Sequence, residues 1–173
     1  MPVAPSLIVT VRLDTESQLY FNALRNRYYP AYCNYTAAHI TLLHRLPPGM
    51  ATLDETMQQL AKIDKPQLEL TGIHNIGNGV IFNLASNGLQ ALHKNMQTRF
   101  NPFLITKDRR DFNPHITVQN RVTAYKAAQT FQLLAQQFKP FVACSTGIEV
   151  WQYLKGPWLL QQFYPFVPTA ELK

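Results

Sequence analysis

Two histidines in this chain are each followed, two residues on, by a threonine: His39-Ile40-Thr41 and His115-Ile116-Thr117. Each triplet lies in a short apolar run, HITLL and HITV. Such runs predict β-strands, in which residues i and i+2 share a face. Each His and its Thr then point the same way, and the Ile between them points the other. A histidine moves protons near neutral pH, and a threonine hydroxyl both donates and accepts hydrogen bonds. Two such pairs facing one cleft supply an acid, a base and two hydroxyls to hold oxygens. That set is sufficient for chemistry on a phosphodiester.

The elements that must position these pairs also recur. The two motifs are 76 residues apart. Downstream of each, a Lys-Pro pair opens an apolar run, at Lys65-Pro66 and at Lys139-Pro140, 74 residues apart. Within those runs Thr71-Gly72-Ile73 matches Thr146-Gly147-Ile148, 75 residues apart. Three anchors in one order at nearly one offset imply two related halves in a single domain over residues 1–173. A long period present only twice is not a solenoid. It suits two lobes about a pseudo-twofold axis, which would bring the two His-Ile-Thr strands face to face.

Read in order, Ser6–Leu13 alternates and is rich in β-branched residues, predicting a strand. Asp14 or Thr15 can cap a helix to Arg27, with Leu19, Tyr20, Phe21 and Leu24 as its apolar stripe. An aromatic loop leads to the first motif strand, which Pro47-Pro48-Gly49 ends. Asp54–Ile63 predicts a short helix bearing Met57, Leu60 and Ala61. A hairpin follows, QLELTGIHNI and VIFNLA around Gly77-Asn78-Gly79. The second half predicts helices over Gly88–Phe100 and Ala124–Phe138 on either side of the second motif. A closing hairpin turns at Lys155-Gly156-Pro157. The fold class expected is α+β: two pseudo-symmetric lobes with two mostly antiparallel sheets flanking a central cleft, helices outside.

At 173 residues with 46% apolar and 15% charged residues, the chain has an ordinary globular composition. Its net charge of +6 suits an anionic partner. Cys33 and Cys144 match no metal or C-x-x-C spacing, so reduced thiols are expected. The opening segment reads as a first strand rather than a signal peptide, and no stretch is long enough to span a bilayer. A cytoplasmic monomer with no membrane association is expected.

Strict alternation places His44 on the face opposite His39, as a strand-end or surface histidine. His74 and His93 have no partner at ligand spacing. The loops before the two motifs differ. The first, with Tyr32 and Tyr35, is aromatic; the second, with Arg109, Arg110 and Phe112, is basic. Rings can stack on a base and arginine can hold phosphate oxygens, so these five residues are the substrate-binding candidates.

The motif segments AAHITLLHRLP and FNPHITVQNRV resemble the signature of the two-histidine (2H) phosphoesterase superfamily, in particular its bacterial 2′,5′-RNA ligase-like, cyclic phosphodiesterase branch. The form Phe112-x-Pro114-His115-x-Thr117 is especially similar, and the resemblance spans nearly the whole chain. It implies that His39, Thr41, His115 and Thr117 are the catalytic tetrad. It also implies a bilobal α+β fold, no cofactor, no metal, and a nucleotide or RNA with a cyclic phosphate or 2′,5′ linkage as substrate. The usual product is a 2′-phosphate. One histidine would take a proton from water while the other gives one to the leaving ribose oxygen. The threonine hydroxyls would hold the non-bridging oxygens. The residues alone leave open which histidine is the acid. They leave open two other classes as well: a nucleotide- or RNA-binding module with little turnover, and a metal protein using His39 and His115. The lack of carboxylate or thiol beside either motif weighs against the metal.

Overall fold

The structure, a computed structural model, describes residues 5–168. Seven strands and four α-helices follow in the order β1 (Leu7–Leu13), α1 (Thr15–Tyr28), β2 (Ile40–Leu46), α2 (Leu53–Leu60), β3 (Gln67–Asn75), β4 (Val80–Ala85), α3 (Asn87–Phe100), β5 (His115–Gln119), α4 (Ala124–Gln137), β6 (Phe141–Tyr153) and β7 (Trp158–Pro165). Single 3₁₀ turns occur at Ala31–Cys33, Asn101–Phe103 and Thr106–Arg109. Among the described residues no helix is long and apolar enough to cross a membrane.

The helices start where side-chain oxygens can replace missing backbone acceptors. The Asp14 carboxylate accepts from the Ser17 amide at 3.0 Å, Ser86 from Leu89 and Thr123 from Lys126. Asp14 also accepts from the Cys144 amide at 2.8 Å, which ties the start of α1 to β6. The buried side of α1 matches the predicted apolar stripe at Phe21 and, in part, at Leu24, but not at Leu19 or Tyr20. Ser17, Phe21 and Arg25, spaced four apart, face inward, while Leu19 is 67% exposed and Tyr20 45% exposed. Phe21 seats its ring edge-on against Phe82 of β4, with centroids 5.2 Å apart. Helix α1 therefore packs on the sheet that holds β4, and it also touches β5, the second motif strand.

All strand pairs are antiparallel. β2, β1, β6 and β7 make one sheet; β6, β3, β4 and β5 make the other. The expected two sheets are thus joined, because the 13-residue β6 belongs to both. Its start, Phe141–Cys144, pairs with β3, and its later residues pair with β1 and β7. The order β2-β1-β6 repeats as β5-β4-β3, with β6 and β3 adjacent at the centre. The ends of this path, β2 and β5, curl back into contact with each other. That curl brings the two motif strands together.

Two glycines are required by close approach of backbone, Gly147 against the Tyr164 carbonyl oxygen and Gly79 against the end of β5. Gly79, at the β3–β4 turn, lies against the end of β5: a Cβ there would collide with the Gln119 carbonyl oxygen and lie 2.8 Å from the Asn120 Cα. Neither neighbour can give way, since both are backbone. Gly79→Ala is expected to destabilise the fold by about 2 kcal/mol or more. Thermal unfolding should show a fall in Tm of roughly 4–8 °C. An unchanged Tm would mean that this turn moves freely off β5.

Candidate active site

His39 immediately precedes β2 and His115 begins β5. Their local geometry is the same. The Nδ1 of His39 lies 2.8 Å from the Ala37 carbonyl oxygen, and the Nδ1 of His115 lies 2.9 Å from that of Asn113. A carbonyl can only accept, so Nδ1 carries the proton in both rings. Nε2 is then left to take up or release a proton, and the ring cannot rotate without breaking that bond.

His39 is half-buried, at the wall of a pocket of about 390 Å³. The Trp158 ring stands against it, with centroids 4.9 Å apart. Burial pushes the His39 pKa down to about 4. The Ala37 carbonyl opposes that shift, while the positive charges of Arg25, His115 and His44 add to it. The imidazole is therefore neutral at pH 7. His115 is exposed and stands outside the residues that wall the pocket, yet its charge reaches His39. Thr41 and Thr117 both line the pocket.

β2 departs from simple alternation, and that changes which residues it presents. Thr10 pairs with Thr41 but Val9 pairs with Leu43, so one extra residue bulges between them. Leu42 and Leu43 both turn inward and are buried. The phase then reverses, and His44 joins His39 and Thr41 in lining the pocket, contrary to the expectation from strict alternation. His44 is held there. Its Nδ1 lies 2.6 Å from Asp108 Oδ1, and its backbone amide donates to Asp108 Oδ2 at 2.9 Å. Asp108 is 2% exposed.

The basic loop is held by contacts within itself and to His44. Its buried carboxylate, Asp108, anchors His44. Arg109 donates to the Leu104 carbonyl, to Asn101 Oδ1 and to the Asn101 carbonyl, so its guanidinium braces its own loop. Arg110 is exposed, and neither arginine lines the pocket. Phe112 stacks flat on the buried His93, with centroids 4.3 Å apart. In the aromatic loop Tyr35 lines the pocket, whereas Tyr32 is 70% exposed and does not. His74 is exposed and bonds Asn83.

The pocket's cations come from elsewhere: Arg25, Arg121 and Lys155. Arg25 is nearly fully buried. It donates to the Thr117 carbonyl at 2.8 Å and, through Nε and a terminal nitrogen, to Asn34 Oδ1 at 3.1 and 2.9 Å. Its guanidinium carbon lies 4.2 Å from the centre of the Tyr29 ring. One residue of α1 thus joins the second motif strand to the aromatic loop. The i, i+4 spacing of Ser17, Phe21 and Arg25 could have marked it in the sequence. Trp158 carried no such signal, because only folding of the closing hairpin brings it to His39. Among the described residues, no group of three or more His, Cys, Asp or Glu side chains comes together that could hold a metal ion.

The curled antiparallel sheets thus carry a histidine at the head of each end strand, with matched Nδ1–carbonyl contacts. Residues 13–157 match the model of the 2′-5′ RNA ligase superfamily, and the chain belongs to that family. No curated protein matches in sequence. Among solved structures the fold is similar to TT0787 of Thermus thermophilus, with a TM-score of 0.63 at 16% identity over 94% of this chain and 98% of that one. It is also similar to E. coli LigT complexed with NADP+, with a TM-score of 0.58 at 17% identity over 96% and 99%. LigT complexed with 3′-AMP gives 0.55 at 16% identity over 95% and 99%.

Proposed function

We propose that this chain opens 2′,3′-cyclic phosphates, and acts on 2′,5′-linked nucleotides or RNA, by acid–base catalysis between His39 and His115. The observation that carries this reading is the matched pair of Nδ1–carbonyl bonds, which leaves both Nε2 atoms for proton transfer. Supporting it, E. coli LigT takes 3′-AMP and NADP+ on a similar fold. His39, neutral at pH 7, is the base that removes the proton from water. The water oxygen bonds to phosphorus, the bond from phosphorus to one ribose oxygen breaks, and His115 gives that oxygen its proton. The Thr41 and Thr117 hydroxyls hold the non-bridging oxygens as charge builds. Arg121 and Lys155 draw the phosphate in. In this reading the chain acts as a monomer and the reaction needs no metal.

Hydrolysis of a 2′,3′-cyclic nucleotide in the presence of chelator tests the reading directly. Nucleotide binding without turnover would make the chain a binding module instead. The pH profile tests the assignment of roles. A base works only when deprotonated and an acid only when protonated, so kcat/KM should rise with pH through about 4, level off, and fall again where the acid loses its proton. A rising limb at the ordinary histidine value of about 6.5 would give the base role to another group.

A further inference from the structure

We propose that a second chamber, continuous with the catalytic pocket, holds the nucleoside joined through the 5′-phosphate of the one being processed. The preferred substrate is then the end of an oligonucleotide rather than a mononucleotide. This rests on the phosphodiesterase reading above and names its substrate class.

The catalytic pocket, at about 390 Å³, lies near the lower end of the range for small-molecule sites and suits one nucleotide. Beside it lies a larger chamber of about 1000 Å³. The two share four walls: Ile8, His44, Tyr153 and Lys155. His44 and Lys155 therefore stand at the border of the two chambers, where a phosphate joining two nucleosides would lie. Beyond it the chamber is apolar, with Pro47 and Pro48, Phe103, and Leu154 among its walls. Phe103 is 46% exposed and Leu154 45% exposed, so both side chains present apolar surface to an occupant. A nucleobase can stack on an aromatic ring or lie on prolines regardless of its identity.

Charge selects the occupant. Neither chamber has a carboxylate among its lining residues, while Arg25, Arg45, Arg121 and Lys155 contribute to one or both. The Asp108 carboxylate lies behind His44, buried, where it orients the ring rather than facing that border. An apolar chamber reached past cations and free of acid fits a chain of bases and phosphates. The apolar cavity near α1 and α4 contrasts with it: that one is lined by Asp14, Glu16 and Lys139 together and shares no residue with the catalytic pocket.

The test reads binding, so it does not depend on turnover. Calorimetry would compare adenosine 3′-monophosphate with the dinucleotide adenylyl-(3′→5′)-adenosine 3′-phosphate at one salt concentration. The dinucleotide should bind at least about tenfold more tightly, in line with one stacked base. In Phe103→Ala, whose side chain is half-exposed, that gain should fall to about threefold or less. Equal affinity for the two ligands, or the same gain in the variant, would overturn the chamber. Turnover of a cyclic mononucleotide with no binding gain overturns the chamber alone. A binding gain lost in Phe103→Ala, in a protein that hydrolyses no cyclic phosphate, overturns only the catalytic reading.

Discussion

In an assay on a 2′,3′-cyclic nucleotide, His39→Ala and His115→Ala should each lower kcat by about 10³- to 10⁴-fold. Each variant removes one of the two proton carriers, and no neighbouring group has the same geometry. His44 is bound through Nδ1 to Asp108, a different partner from the carbonyls that orient the two motif histidines. The double variant should be little worse than either single one, because half of a proton relay does no useful work. His115 is exposed, so its replacement should leave thermal unfolding unchanged and the loss can be read as catalysis. Turnover within tenfold of the parent protein in either single variant would end the two-histidine mechanism for this chain.

Arg25→Ala should have the largest effect on stability. The substitution removes a buried side chain and leaves the Thr117 carbonyl and the Asn34 amide oxygen without this donor. A cost of about 3 kcal/mol or more is expected, from unpaired acceptors and the cavity together. Tm should fall by roughly 6–12 °C. Arg25→Lys should recover less than half of that, since one ammonium cannot reproduce a planar fork that serves two acceptors and an aromatic face. Activity should fall too, because Thr117 and the Tyr29–Tyr35 loop lose a common brace. A Tm shift under about 2 °C, measured by calorimetry, would show that the two elements are held by other contacts.

The parts of this fold that the sequence displays are those governed by local rules. The strands alternate, the helices begin at Asp14, Ser86 and Thr123, and the hairpins turn at glycines. The His-Ile-Thr repeat is visible because strand periodicity ties each His to its Thr without reference to the rest of the chain. What was hidden depends on partners distant in sequence. The bulge in β2 exists only in its pairing with β1, so His44 could not be assigned to the pocket from alternation. Leu19 and Tyr20 read as core because they are apolar, yet Arg25 takes the inward place since its acceptors lie on β5 and beyond α1. Arg109 and Arg110 read as phosphate ligands from charge alone. Nothing in their sequence shows that Asn101 claims the first, or that Asp108 between them and Lys107 is the residue that turns toward the site.

The shared strand β6 determines how this enzyme can move. Two lobes joined by a linker could swing about it and close on a substrate like jaws. Here the joint is a single β-strand, hydrogen-bonded into both sheets along its length. Opening such a joint would require breaking ladder bonds, so the spacing of the two sheets is a built dimension, set by strand twist. The pocket edges that lie outside this joint are the Tyr29–Tyr35 loop and the β6–β7 hairpin tip that meets it at Gly156. The same strand couples the lobes in unfolding, because each sheet takes part of one continuous strand. The protein should denature as one cooperative unit, in a single calorimetric transition.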